Sequence, residues 1–534
     1  MRRCPRRIVL ESCLARRLHR VRFGFLIDQR RCIGCHACTV ACKQEQDVPL
    51  GVFRTWVKYI EKGAFPNTRR HFTVLRCNHC EDAPCVEICP TKALFRRPDG
   101  IVDFDTSRCI GCKSCMQACP YDALYIDPRE HTAMKCNFCA HRVDVGLKPA
   151  CEIVCPETAI VSGDLDDAES SISRLIAREP VHVRKPEQGT QPKVFYINAD
   201  ELTLTPNLTA REGVTMWGQI GTPGQPAPTV PLSEVTPQRI SFAEGTAKDV
   251  YDVAHPIPWG WRVSSYLWTK SISAGALGVA APLALLKGMS EPFGLVASVI
   301  ACLFALITVA FLVWDLKRPE RFWFILLKPN FRSWLVWGAY ILVAFSGLAV
   351  LWGASALFDV RGAMLPLGIA GAAFAAASAG YSGFLFGQAE GRDFWQSPLL
   401  PLHLVAQAAL AGAAALGIAA VGLADTGAAP VLIVLVAAGV LAHALFVAAE
   451  LATPHANAEV ELAAHAMTRG RDARLFWVGA VLVGVVIPLA AVGAWSLAIL
   501  AVAPAMLVAA LAALVGLFAY EDSWIRAGQA VPLS

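Results

Sequence analysis

The sequence predicts a cysteine-rich α+β domain followed by an all-α polytopic membrane bundle of about eight helices. The chain has 534 residues and 19 cysteines, and Cys302 alone among these cysteines follows residue 155. Long tracts of Ala, Leu, Val and Gly with few charges fill the second half. This change of composition divides the chain into a leader, a cysteine-rich domain, an extension with a linker, and a membrane domain, at 1–20, 21–163, 164–262 and 263–534.

The two segments outside these main domains carry little chemistry. Residues 1–20 are basic, but no apolar core follows their Arg-Arg pairs, so we predict neither a secretory nor a twin-arginine signal. We expect a leader without a role, or an untranslated segment with translation starting at Val21. Residues 164–262 are rich in Pro, Thr and Gln, which is typical of an irregular connector. The net charge of +5 comes with no basic, aromatic-interleaved stripe, which argues against a nucleic-acid partner.

The membrane prediction comes from stretches long enough to cross a bilayer, which takes about 20 apolar residues. Their many small residues, as in "GIAGAAFAAASAGYSGF" from Gly368, would let helix backbones approach closely in lipid. Cys302, inside the second stretch, is expected to be a small apolar residue without a role. The eight predicted spans are 264–287, 292–315, 333–357, 363–387, 400–424, 428–452, 475–495 and 497–520.

Sixteen cysteines fall into four quartets, which indicates bound metal. Disulfides rarely show such tandem spacing, and zinc ribbons use paired knuckles without a third cysteine three residues on. The run "CIGCKSCMQACP" has the spacing of a bacterial ferredoxin, in which three cysteines hold one [4Fe–4S] cluster and the fourth ligates another. Cys42 should therefore not share a cluster with Cys32. The quartets are Cys32, Cys35, Cys38 and Cys42; Cys77, Cys80, Cys85 and Cys89; Cys109, Cys112, Cys115 and Cys119; and Cys136, Cys139, Cys151 and Cys155.

With these motifs, residues 21–163 resemble the ferredoxin-like four-cluster subunit of the DMSO reductase and polysulfide reductase family. The resemblance implies that the inner two motifs exchange their closing cysteines, and the outer two likewise. One departure is Lys43, because proline follows the other closing cysteines. The implied ligand sets for four [4Fe–4S] clusters are Cys32, Cys35, Cys38 with Cys155; Cys136, Cys139, Cys151 with Cys42; Cys77, Cys80, Cys85 with Cys119; and Cys109, Cys112, Cys115 with Cys89.

The membrane half carries "WDLKRPERFWFILLKPNFRSWLVWGAYIL" (314–342), which resembles the signature of NrfD-like quinone-interacting subunits. The two resemblances together imply an electron-transfer and membrane-anchor subunit. It would link menaquinone or ubiquinone to a separate catalytic subunit with a molybdenum or tungsten bis-pterin centre. An electron-transfer subunit of a quinone-linked nickel–iron hydrogenase is the alternative. A metal-binding membrane scaffold without redox activity is a third class, which reducible clusters would exclude.

Polar residues inside the spans mark the expected quinone site, because polar groups in lipid are costly and usually functional. Lys270 and Tyr381 would donate hydrogen bonds to the quinone carbonyls. These residues also have purely structural alternatives. Tyr381 would be an anchor at the membrane interface, Lys270 would reach the head groups, and Asp315 would pair with Arg318 or Arg321. A b-type haem between the two histidines is a further alternative, but the NrfD-like resemblance implies no haem. The candidates for a proton route are Asp315, His403, His443 and Glu450.

Charge asymmetry gives the expected orientation in the inner membrane of a bacterial cell. Tracing eight spans puts both termini and loops 316–332, 388–399 and 453–474 on one side. That side carries ten of the basic residues near the spans, against Lys287 and Arg361 on the other. The positive-inside rule then places the iron–sulfur domain in the cytoplasm. The ten are Lys317, Arg318, Arg321, Lys328, Arg332, Arg392, Arg469, Arg471, Arg474 and Arg526.

Overall fold

The computed structural model describes residues 21–64, 66–211, 247–287, 291–424 and 427–534. The expected leader lies outside these residues, and so does part of the expected connector, residues 212–246. Short strands and helices form the first half up to Tyr251, and long helices form the second half from Trp261 onward. The predicted fold class, an α+β domain followed by a helical membrane bundle, is confirmed.

A four-stranded sheet brings the two ends of the cysteine-rich domain together. Its strand order is β8, β1, β10, β9, with β1 antiparallel to β8 and parallel to β10. The prediction of an irregular connector from residue 164 is therefore wrong for its first part, where β9 and β10 extend this sheet. The strands are β1 (Phe23–Asp28), β8 (Ile160–Asp164), β9 (Val181–His182) and β10 (Val194–Ile197).

A second sheet extends from a ten-residue hairpin and takes in the segment just before the membrane half. Its order is β11, β12, β2, β3. Lys58 and Asp249 form an ion pair at 2.9 Å with both side chains 1% exposed, which fixes β12 to the hairpin. The strands are β2 (Thr55–Ala64), β3 (Asn67–Arg76), β11 (Ala210–Arg211) and β12 (Lys248–Tyr251).

The remaining elements of this domain are short hairpins and helices around the cysteine loops. Four of these helices carry the third cysteine of a quartet, and the fourth cysteine lies in the same helix or just after its end. The hairpins are β4 (Leu94–Arg96) with β5 (Val102–Phe104) and β6 (Leu124–Ile126) with β7 (Ala133–Lys135). The helices are α1 (Ala37–Glu45), α2 (Pro84–Glu87), α3 (Ser114–Ala118), α4 (Ala140–Val143), α5 (Ala150–Ile153), α6 (Ser171–Arg178) and α7 (Glu201–Leu204).

Eight long helices make the second half, as predicted. By length and composition, seven helices in the described residues can cross a membrane. The other, α8, carries three basic residues. The helices are α8 (Trp261–Lys287), α9 (Glu291–Asp315), the short α10 (Phe324–Leu327), α11 (Trp334–Leu357), α12 (Arg361–Gly387), α13 (Leu400–Gly422), α14 (Ala429–Ala452), the short α15 (Ala458–Thr468), a π-helical stretch (Leu475–Val486) continued by α16 (Ile487–Ser496), and α17 (Val502–Ala530).

Helix α8 is packed against α9, α12, α13 and α17, and small residues allow the closest approach. A Cβ on Gly275 would lie 2.7 Å from the backbone nitrogen of Gly412, so α8 and α13 touch backbone to backbone there. This agrees with the expected role of small residues in lipid. The bundle thus surrounds α8, the helix that carries Lys270.

Candidate functional site

The four cysteine loops repeat one unusual backbone feature. The residue just before the second cysteine has a positive φ in every loop: Gly34 (71°), His79 (44°), Gly111 (68°) and Phe138 (61°). A residue in this conformation turns successive backbone N–H groups toward one concave side, where they favour negative charge. The two glycines adopt it without strain, whereas His79 and Phe138 are held there by their surroundings.

Each loop forms a site with one distant cysteine. Thiols surround a common cavity at three sites. At the fourth site, the thiols of Cys80, Cys85 and Cys119 interact electrostatically with that of Cys77. Cys42 therefore lies with the last loop and not with Cys32. The sites are A (Cys32, Cys35, Cys38, Cys155), B (Cys42, Cys136, Cys139, Cys151), C (Cys77, Cys80, Cys85, Cys119) and D (Cys89, Cys109, Cys112, Cys115).

The donors at these sites fit an iron–sulfur cluster. All sixteen cysteines are free thiols. Backbone N–H groups donate to sulfur, with Ala159 N at 3.2 Å from Cys155 Sγ and Ala133 N at 3.4 Å from Cys109 Sγ. Hydrogen bonds of this kind tune cluster potentials. Across the described ranges, no three His, Cys, Asp or Glu side chains are grouped to hold a single metal ion.

Burial favours the protonated form of several of these thiols by raising their pKa. It raises the pKa of the Cys38 thiol to about 11, and that of Cys139 likewise to about 11. Metal ligation requires thiolates, so assembly at these sites releases protons. When bound, a [4Fe–4S] cluster supplies one-electron transfer without making or breaking a substrate bond.

Neighbouring thiols give the order of the sites. Electrostatic interactions join Cys38 of site A to Cys151 of site B, Cys136 of site B to Cys77 of site C, and Cys85 of site C to Cys115 of site D. The order is therefore A, B, C, D. We call this series the row of sites.

The two ends of the row face different surroundings. Cys35 of site A is exposed. At site D, side chains of the membrane half donate to backbone oxygens of the cysteines: Arg321 Nη1 to Cys109 at 3.0 Å and Asn330 Nδ2 to Cys89 at 2.8 Å. Trp259 Nε1 donates to the Cys112 oxygen at 3.4 Å. The row thus runs from the domain surface to the membrane bundle.

Asp315, expected on a proton route, lies at this junction. Its carboxylate pairs with Lys113 of the site D loop at 2.8 Å, and the side chains of Asp315 and Lys113 are 13% and 7% exposed, respectively. The ion pair of Asp315 is therefore with Lys113, and not with Arg318 or Arg321, the partners considered from the sequence. Arg321 instead donates to the oxygens of Thr106 and Cys109. Asp315 therefore links the end of α9 to the iron–sulfur domain.

The structure brings Lys270 and Tyr381 together deep in the bundle. Lys270 is 1% exposed, and its ammonium donates to Ser382 Oγ and, at 3.2 Å, to the Ala379 oxygen. The same nitrogen lies 4.6 Å from the centre of the Tyr381 ring. A side chain bonded in this way does not reach the head groups, and a buried Tyr381 is not an interfacial anchor.

A buried acid near Lys270 was missed from the sequence. Glu521 is 2% exposed, and neither carboxylate oxygen has a hydrogen-bond partner in the described parts of the chain. It interacts electrostatically with Lys270. The predicted last span ended at residue 520, whereas α17 continues to Ala530. The apolar positions after Glu521, such as Trp524 and Ile525, were the signal for this continuation.

The remaining candidates form a separate group around Tyr520. His403 Nε2 and His443 Nδ1 are 2.9 Å apart, and Gln407 Nε2 is 3.2 Å from His403 Nε2. The Tyr520 hydroxyl donates to Glu450 at 3.4 Å. These are the two histidines considered for a b-type haem, and here their imidazoles are in direct contact. Three of the residues predicted for a proton route, His403, His443 and Glu450, thus lie together, away from Asp315.

Comparison with known proteins assigns each half separately. Residues 249–532 match the model of the family "Polysulphide reductase, NrfD", and residues 68–165 match "4Fe-4S dicluster domain". Individual relatives match about a third of this chain. A tetrathionate reductase subunit of Salmonella typhimurium is 43% identical over 205 residues, which are 38% of this chain and 82% of the relative.

Two further relatives are also subunits of reductases. A polysulfide reductase subunit of Wolinella succinogenes is 41% identical over 181 residues, 33% of this chain and 94% of the relative. The arsenate respiratory reductase iron–sulfur subunit of a Shewanella species is 35% identical over 229 residues, which are 34% of this chain and 97% of the relative. The hydrogenase alternative has no support in these comparisons. The NrfD match covers more than half of the length of this chain. The chain is therefore a multi-pass membrane protein of the polysulphide reductase NrfD family, and the same polypeptide also contains a 4Fe-4S electron-transfer subunit of the reductase type.

Proposed function

We propose that this chain carries electrons between a membrane quinone, menaquinone or ubiquinone, and a separate molybdopterin-containing catalytic subunit, through four [4Fe–4S] clusters. The observation that carries this proposal is the row of sites from exposed Cys35 to the membrane junction. Each site offers four thiols, and each has a neighbour close enough for electrostatic interaction. One-electron carriers in such a series have no role in bond-making, so the chemistry lies at the two ends.

The catalytic partner would dock at site A. Two apolar side chains near Cys35 in the chain are exposed: Ile33 (55% exposed), which also lines site A, and Val40 (64%), in the helix that follows. Exposed apolar groups beside a redox site mark a protein interface. The relatives are named as subunits of tetrathionate, polysulfide and arsenate reductases, which supports a reductase as the partner. A molybdenum or tungsten bis-pterin centre in that partner follows from the family resemblance.

The quinone would bind near Lys270 and Tyr381. Both are buried hydrogen-bond donors on α8 and α12, the helices that run toward the junction with site D. Quinone reduction consumes two protons as well as two electrons, and oxidation releases them, so acids must lie nearby. Glu521 interacts with Lys270, and the group around Tyr520 adds Glu450 and the two histidines as proton carriers.

The iron–sulfur domain would face the cytoplasm from the bacterial inner membrane. The side of the bundle on which it sits carries ten of the basic residues flanking the spans, against two on the other. Several of these basic residues serve the junction itself, as Arg392 does by donating to Gln117 at 2.9 Å. The charge of these residues therefore supports the orientation, and their contacts hold the iron–sulfur domain against the membrane bundle.

The test uses Tyr381→Phe and Lys270→Met in membranes that contain the full chain. Loss of one hydrogen bond costs about 0.5–1.5 kcal/mol, so quinone binding should weaken several-fold. We expect slower cluster reduction by quinol and unchanged reduction by dithionite, followed by the absorbance of the clusters. Tyr340→Phe is the matched control, because its hydroxyl bonds to Leu326 away from this site. Wild-type behaviour of both test variants would contradict the placement.

A further inference from the structure

A buried cation stands between sites A and B. Arg76, the last residue of β3, is 1% exposed. Its Nη1 donates to Cys151 Sγ at 3.1 Å. Its Nε and Nη2 are buried and have no hydrogen-bond partner among the residues that the structure describes. Because Arg76 also lines the cavity of site B, these unused N–H groups lie beside whatever fills that cavity.

The charge of Arg76 acts on two sites. It interacts electrostatically with Cys42 and Cys151 of site B, and with Cys38 of site A. An arginine side chain stays protonated throughout the pH range in which proteins fold. The groups that interact with Arg76 are cysteine thiols, which are neutral while protonated and become negative when they ligate metal. A buried cation without an anion is strongly unfavourable, so the site needs compensating negative charge.

Packing fixes the guanidinium in place. It lies over the ring of Phe25, 4.4 Å from the ring centre. Phe25 in turn lies 4.0 Å from the ring of Phe138, the positive-φ residue of the site B loop. Arg76 is thus held between the first strand and the loop that carries Cys136 and Cys139. It cannot turn to solvent when the charge of site B changes.

We propose that Arg76 raises the reduction potentials of the clusters at sites B and A, with the larger effect at B. This inference rests on the proposed binding of clusters at both sites. Reduction adds one electron, makes or breaks no bond, and makes the site one unit more negative. A fixed positive charge favours the reduced form, as do hydrogen bonds to sulfur. Electrons at equilibrium are therefore drawn toward the outer end of the row, where Cys35 reaches the surface.

The test is a redox titration of the purified full chain, with dithionite as reductant and electron paramagnetic resonance as readout. In Arg76→Gln, the reduced-to-oxidised ratio of one cluster at fixed potential should fall at least tenfold, a shift of about 59 mV for one electron. A second cluster should shift less, and the other two should not move. Arg76→Lys keeps the charge and should restore most of the potential.

Arg184→Gln is the matched control, since Arg184 is also 1% exposed but lines neither site A nor site B. It should leave both potentials unchanged. If Arg76→Gln fails to assemble site B, site A keeps all its ligands and must still titrate at a lower potential. Four clusters with wild-type potentials in Arg76→Gln would overturn this inference and leave the proposed function unaffected. A wild-type protein without clusters would instead refute the proposed function.

Discussion

Removing one partner of the Lys113–Asp315 pair should open the junction between the two halves. Breaking a buried ion pair by deleting one member costs about 3–5 kcal/mol. These side chains are 7% and 13% exposed, and Asp315 also interacts with Arg262 and Lys317. We therefore expect the lower figure, about 3 kcal/mol, for Lys113→Met, which is about a hundredfold in the junction equilibrium.

Hydrogen exchange can measure this opening at two backbone amides. Lys317 N donates to the Gly111 oxygen at 3.2 Å, and Arg318 N donates to the Ile110 oxygen at 3.1 Å. Both bonds join the segment just after α9 to the site D loop, so their amide protons exchange when the junction opens. Their exchange should become about a hundredfold faster in Lys113→Met, while amides inside the first sheet keep their rates.

A double variant separates a structural link from a proton carrier. Replacing both members of a buried pair by apolar residues is often neutral, so Lys113→Met with Asp315→Leu should recover slow exchange and quinol-driven cluster reduction. Slow exchange without recovered reduction would show that Asp315 carries protons, as its place in the sequence predicts. Unchanged exchange in Lys113→Met would refute the reasoning about the junction.

Three further outcomes are expected. Cys42→Ser should disturb the cluster at site B and leave the one at Cys32 with all its ligands, as resolved by electron paramagnetic resonance; a structure with both cysteines on one cluster would contradict this. Glu521→Gln should slow quinol-linked turnover and spare reduction by dithionite, because it removes the buried acid that interacts with Lys270; wild-type turnover would exclude the acid. A reporter fused after Ser534 should indicate the cytoplasm, and activity of a periplasm-only reporter would reverse the orientation.

The cysteine sites could be predicted because their information is local. Three successive cysteines of a motif face one site, and the fourth lies in or just after the short helix that carries the third, as Cys42 does inside α1. The partner loop cannot be read from spacing alone and came from the family resemblance. Hydrophobicity likewise predicted the membrane helices, because few charges interrupt them.

The missed features depend on tertiary contacts. Strands β9 and β10 have two and four residues and form by pairing with each other and with β1, which no local pattern reveals. The end of α17 was placed too early because its charged residues resemble a cytoplasmic tail. In the fold, Asp522 accepts from Ser264 at 3.0 Å and pairs with Arg526 at 2.7 Å. A single arginine such as Arg76 has no sequence signature at all.

The junction gives a reason for the two halves to act as one rigid unit. Two side chains of the membrane half, and Trp259 just before it, donate to backbone oxygens of three different cysteines of site D, so the position of site D is fixed in more than one direction. Helix α12 carries Tyr381, and soon after its end a Cβ on Gly391 would lie 2.7 Å from the backbone oxygens of Gln117 and Cys119. One helix thus connects the proposed quinone site to the backbone of site C. Because electron transfer weakens steeply with distance, this connection sets the separation on which turnover depends.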